Sequence, residues 1–190
     1  MPDVFEVLGQ DHAEVKDLLS ALENSPGRTE GASDAVLAAR GEVAKRLIMD
    51  SSAHEAAEEQ YFWPTVRHQV PKGDGFANEA ISQESEAKQV LDKLDKLAPT
   101  DPEFDELIAK FIPAARQHIE YEETQVWPAL RAVLSADQAN QLGVQVATAK
   151  EHGHTRPHPH TPANPTVLKT AGSAAAIIDH LRDALSGRGR

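Results

Sequence analysis

The sequence predicts an all-α fold: an up-down-up-down four-helix bundle with a C-terminal helical extension. Three observations carry this expectation. Four long stretches place apolar residues three and four apart and are separated by Pro/Gly turn signals, and no segment shows the two-residue alternation of a strand. The third is an internal repeat. His54-x-x-x-Glu58-Glu59-x-x-x-Trp63-Pro64-x-x-Arg67 returns as His118-x-x-x-Glu122-Glu123-x-x-x-Trp127-Pro128-x-x-Arg131.

The first helix is expected over 4–23, where Phe5, Leu8, Val15, Leu19 and Leu22 form a stripe that includes His12. Ser25-Pro26-Gly27 to Gly31 reads as a loop, and Ser33 or Asp34 can cap a second helix over 34–68. Its stripe is Leu47, Ser51, His54, Glu58 and Tyr61. Pro64 should kink or end it, because proline lacks a backbone donor and crowds the preceding turn. Pro71-Lys72-Gly73-Asp74-Gly75 reads as a turn before a third helix over 76–97, with stripe Ala80, Glu84, Ala87, Leu91 and Leu94.

Asp101 caps the fourth helix, over 102–133, and Pro102 fits its first turn. This helix carries Ile108, Phe111, Ala115, His118 and Glu122, with a bend expected at Pro113. Aligning the first helix on the third puts Glu84 opposite His12, so the chain reads as two related helical hairpins. Short loops between such helices give the antiparallel bundle.

The bundle is assigned to residues 1–134 and the extension to 135–190. Within the extension, Ser135 to Gln138 can form a capping box for a helix to about 150. A Pro- and His-rich linker follows, containing His152, His154, His158 and His160, and then an amphipathic helix over 171–186 with Ile177, Ile178, Leu181 and Leu185 on one side. The extension is read as a cover for the bundle or as an arm through which its last helix docks a protein partner.

Charge and composition narrow the function. Nineteen basic against thirty acidic residues give a net charge of −11, which disfavours binding to nucleic acid. The absence of cysteine excludes disulfides, iron–sulfur clusters and thiol catalysis. The N-terminus shows no signal-peptide pattern and no apolar run reaches membrane-spanning length, so a soluble cytoplasmic protein without membrane attachment is expected.

His12, His54, Glu58, Glu84, His118 and Glu122 all fall on inward stripes, and no lysine or arginine shares those stripes. Residues four apart on a helix face the same way, so each repeat offers an imidazole and a carboxylate to one point. Burying an unpaired carboxylate costs several kcal/mol even after relaxation. Bound cations would remove that cost, and nitrogen and oxygen donors without sulfur favour iron or manganese, with zinc still compatible. Glu55, Glu59 and Glu123 lie beside the stripes and are expected to support the ligands or meet solvent. Tyr61 and Tyr121 lie within a turn of the ligands, placed either to pack or to hydrogen-bond a bound oxygen species. Trp63 and Trp127 read as core residues. Neither the Glu-x-x-His pairs of ferritin-like bundles nor the second histidine of a zincin motif is present in a helical stretch.

His12, His54-x-x-x-Glu58 and His118-x-x-x-Glu122 resemble the pattern of hemerythrin-like (HHE cation-binding) domains across residues 1–134. The tail, with Arg156-Pro157-His158-Pro159-His160 and Asp179-His180-Leu181-Arg182-Asp183, is similar to extensions of actinobacterial members, including mycobacterial ones. The resemblance implies a non-haem di-iron centre, oxo- or hydroxo-bridged, with Glu58 and Glu122 bridging and His12, His54, Glu84 and His118 as terminal ligands. Glu84 stands where the family usually has a histidine. An additional anionic ligand favours the ferric pair, which suits decomposition of hydrogen peroxide in a catalase-like reaction. Sensing or carriage of oxygen, nitric oxide or redox state is the alternative the family allows, and an iron-holding interaction protein is a second.

Overall fold

The computed structural model describes residues 2–151, 156–158, 176, 179, 180 and 183. Helix α1 spans Val4–Glu23 and starts at a capping box: Asp3 accepts the Phe5 and Glu6 amides, and Glu6 accepts the Asp3 amide at 2.9 Å. Helix α2, Asp34–Ala57, is capped by Ser33. It passes into a π-helical segment, Glu58–Phe62, and then into α3, Trp63–Gln69. Helix α4 spans Gly73–Leu94, and α5, Pro102–Tyr121, is capped by Asp101 and runs unbroken through Pro113. A second π-helical segment, Glu122–Val126, leads to α6, Trp127–Arg131, and α7 spans Ala136–Glu151.

Two elements differ from the sequence expectation. Pro64 and Pro128 sit in the first turns of α3 and α6, and the π-helical segments lie immediately before. A proline has no N–H to give the preceding turn, and widening that turn absorbs the mismatch without ending the helix. Helix α4 begins three residues earlier than the turn signal suggests. At Gly73 an added Cβ would lie 2.1 Å from the Val66 carbonyl oxygen, so this glycine serves close packing of α4 on α3.

Two apolar clusters fill the bundle. One gathers Val4, Phe5, Leu8, Trp63, Val66, Ala80, Val126, Trp127 and Leu130; the other gathers Val15, Leu19, Leu47, Ile48, Leu91, Phe111 and Ile119. Helices α1 and α4 run from the first cluster to the second, and α2 and α5 run back. That gives the up-down-up-down order. Each helix crosses the seam between the clusters where its chain carries a titratable residue: His12, His54, Glu84 and His118 with Glu122.

Helix α7 is packed on this framework. Ala139, Leu142 and Val146 join the first cluster beside α1. At Gly143 a Cβ would lie 2.7 Å from the Pro2 carbonyl oxygen, and its absence lets α7 close on the start of α1. The tail helix expected over 171–186 falls mostly outside the described residues. Of the described ones, Ala176, Asp179 and Asp183 are buried, and Arg156 joins Asp183 at 2.7 Å to Asp95 at 3.0 Å. His158 meets Asp179 at 2.8 Å. Of the four linker histidines, the other three lie outside the described residues.

Candidate metal centre

All six inward-facing residues meet at the seam. His12, His54 and Glu122 present ligand atoms within 4.8 Å of one another, and so do Glu58, Glu84, His118 and Glu122. Glu122 belongs to both groups. Glu58 also approaches the first group, with its Oε2 3.2 Å from His54 Nε2. Glu58 and Glu122 each open one of the two π-helical segments, so the widened turns aim the carboxylates of both repeats at the centre.

The imidazoles are oriented from behind. His54 Nδ1 faces Asp11 Oδ2, His118 Nδ1 faces Gln83 Oε1, and His12 Nδ1 faces Glu123 Oε1, each at 3.0 Å. These oxygens can only accept, so each Nδ1 donates outward and each Nε2 is left with a lone pair directed inward. There the Nε2 atoms meet carboxylates: His12 lies 3.2 Å and His118 3.0 Å from the oxygens of Glu122. His12 Nε2, His118 Nε2, Glu84 Oε2 and both oxygens of Glu58 and of Glu122 are buried without a hydrogen-bond partner. Seven buried lone-pair atoms converging on one another repel unless protons or cations lie between them. The donor set therefore suits cation binding, with nitrogen and oxygen ligands and no sulfur.

Charge equilibria of the metal-free chain reflect this crowding. Burial and the neighbouring Glu122 push Glu58 up, and burial with Glu58 nearby pushes Glu84 well up. Burial opposes the charged forms of His54 and His118, yet the carboxylates around them win and raise both. Glu122 goes the other way: burial would raise it, but His118 and His12 hold it far below the usual range.

The walls are aromatic and acidic. Trp63 donates its indole N–H to Glu84 Oε1 at 2.5 Å, and Trp127 stacks on His12 with ring centres 5.0 Å apart. Both tryptophans are core residues, as expected, and both also touch the ligands. A cavity of about 490 Å³ reaches the centre between α4 and α5. His12, His54 and His118 line it together with Val15, Ala87, Val90 and Phe111. The tyrosines do not line it: Tyr121 donates to the Phe76 carbonyl at 3.4 Å, and both rings pack against the first cluster.

One expectation is corrected. Lys88, one turn after Glu84, is a basic residue drawn to the site, lying 2.5 Å from Glu59 and 4.0 Å from Glu55. Both glutamates are buried, so neither meets solvent, and Lys88 balances their charge. Burial pushes Glu55 up to about 7. Sequence reasoning also missed Asp11 and Gln83. Each immediately precedes an inward residue, which is the only signal either gives.

A four-helix bundle with a buried His/Glu donor set at mid-height is a cation-binding helical protein. The family model for the hemerythrin HHE cation binding domain matches residues 3–130, and the chain belongs to that family. Among curated proteins, it is 27% identical over 150 residues to a DNA nickase of Nostoc sp., covering 78% of this chain but only 39% of that protein. It is 26% identical over 141 residues to an uncharacterised hemerythrin-like protein of Schizosaccharomyces pombe, covering 66% of this chain and 70% of that one. The crystal structure of a hemerythrin HHE cation-binding-domain protein from Mycobacterium kansasii superposes with a TM-score of 0.66 over 94% of this chain and 99% of that one, at 18% identity. That likeness shows the fold. No helix among the described residues is long and apolar enough to cross a membrane.

Proposed function

We propose that the chain is a non-haem di-iron protein that decomposes hydrogen peroxide, working in the cytoplasm against oxidative stress. His12, His54 and Glu122 would hold one iron, and Glu58, Glu84, His118 and Glu122 the other. Two irons held there would supply the redox change by which two molecules of hydrogen peroxide become two of water and one of dioxygen.

Glu84 is the observation that carries peroxide turnover over reversible oxygen binding. It brings a third carboxylate to the centre, and Trp63 holds it there. An additional anionic ligand favours the ferric state, which works against a ferrous pair that must survive contact with oxygen. The cavity offers a small molecule a path to the centre, past Val15, Ala87, Val90 and Phe111 and the three histidines. Asp11, Gln83 and Glu123 keep the imidazoles in place while the charge at the centre changes. Tyr61 and Tyr121 are assigned at most an indirect part.

The test is oxygen evolution when peroxide is added to iron-loaded protein. Evolution no greater than that of free iron would reject the reading. Reversible uptake of O2 or NO by the reduced protein, without peroxide turnover, would replace it with a sensor or carrier. The DNA nicking named for the Nostoc relative is not carried over: this chain spans 39% of that protein, and its net charge of −11 gives no attraction for phosphates.

A further inference from the structure

We propose that Lys150 of α7 is a positioning residue for the metal centre, which makes the segment beyond the family match a working part of it. The inference rests on the cation-binding reading and is independent of the reaction. Asp11 is buried at 8% exposure and has two oxygens with two partners. Its Oδ2 accepts from His54 Nδ1 at 3.0 Å, and its Oδ1 accepts from the Lys150 ammonium. His54 in turn presents Nε2 to Glu58 at 3.2 Å. A continuous chain of contacts thus runs from the last turn of α7 to the centre.

The three imidazoles are supported in different ways. His118 rests on neutral Gln83. His12 rests on Glu123, which Lys16 of α1 holds at 2.7 Å, so that support comes entirely from the region matched by the family model. Among the described residues, His54 is the one of the three whose support reaches outside residues 3–130. Without Lys150, Asp11 Oδ1 loses its ammonium partner, and the carboxylate behind His54 is held on one side only, through His54 Nδ1. Partners that orient a metal-ligating histidine set its ring direction and basicity, and their loss typically weakens metal binding by about 10–100-fold. Lys150 acts one step further out, so the lower end of that range is expected.

The experiment compares wild type, Lys150→Met and Lys150→Arg in the full chain. Lys150 is partly exposed at the end of α7, and methionine keeps the length of its apolar stem, so the fold is expected to be retained; far-UV circular dichroism checks this. Ferrous iron is titrated anaerobically against a competing chelator, and the reduction midpoint of the loaded protein is measured. K150M should bind iron about 10-fold more weakly, at the lower bound for such partners, and its midpoint should fall because a positive charge has left the surroundings. K150R should restore most of both. Equal affinity and midpoint in wild type and K150M would overturn this inference alone. Wild-type protein that takes up no iron would overturn the metal reading and this inference together.

Discussion

The indole N–H of Trp63 meets Glu84 Oε1 at 2.5 Å and leaves Oε2 of the same buried carboxylate facing the remaining donors. One side chain of the repeat motif therefore aims a ligand carried by a different helix. Trp63→Phe keeps an aromatic ring in the first cluster and removes only the donor. Iron affinity should drop by about 10-fold or more, as for other partners that orient metal ligands. The metal-free protein should lose about 1–3 kcal/mol, the usual cost of stranding a buried acceptor. Chelator competition and urea unfolding measure the two effects; no change in either would make the bond incidental.

Glu84 itself separates peroxide turnover from oxygen binding. Glu84→His exchanges an anionic donor for a neutral one and adopts the residue that the family resemblance expects at this place. The ferrous protein should then oxidise more slowly in air, and oxygen evolution from peroxide should fall while iron stoichiometry stays the same. Stopped-flow absorbance follows the first and an oxygen electrode the second. Unchanged rates in both would remove the charge of Glu84 from the explanation.

Stability should respond to pH in opposite ways with and without metal. In the metal-free chain, burial raises Glu55 to about 7 and also raises Glu58 and Glu84, so the folded state holds protons that the unfolded state has released. Stability from these groups falls as pH rises above the ordinary carboxylate range. His54 and His118 are raised by their carboxylate neighbours, so their contribution is fully present below about 6.5 and is lost as pH climbs through the folded value. Asp11 and Glu122 are lowered and matter only in acid. Metal-stripped protein should therefore melt lower at pH 8 than at pH 5.5. Bound cations take the place of those protons, so the loaded protein should keep its melting temperature at pH 8. Parallel curves for the two forms would contradict the cation reading.

The inner surface of the bundle was legible because helical periodicity is a local signal. Leu8, His12 and Val15 lie on one stripe whatever surrounds them, and the duplicated His-x-x-x-Glu motif fixes which way two carboxylates face. What could not be read depends on contacts between helices. Asp11 and Gln83 support histidines 43 and 35 residues away, and neither has a periodic signature. Lys88 lies one turn from Glu84, and its long stem carries the ammonium to Glu59 and Glu55 on another helix, a pairing that no periodicity within its own helix reveals. The π-helical segments lie just before Pro64 and Pro128; the sequence leads to a kink or an end at Pro64 and to an uninterrupted helix through Pro128. A wider turn accommodates the N–H that proline lacks and keeps the chain helical.

The packing of α7 supplies a last test. At Gly143 an added Cβ would approach the Pro2 carbonyl oxygen to 2.7 Å and the Asp3 carbonyl carbon to 2.8 Å. Both are backbone atoms and cannot swing aside, so Gly143→Ala forces α7 away from the start of α1. Removing a glycine from a helix interior gains about 0.5–1 kcal/mol, whereas overpacking a close contact costs about 1–3 kcal/mol. A net loss of stability is expected in urea unfolding. Lys150 lies two turns further along α7, so the displacement should also loosen its hold on Asp11 and weaken iron binding in the direction expected for Lys150→Met. Lower stability with unchanged iron affinity would reduce α7 to a cover over the first cluster.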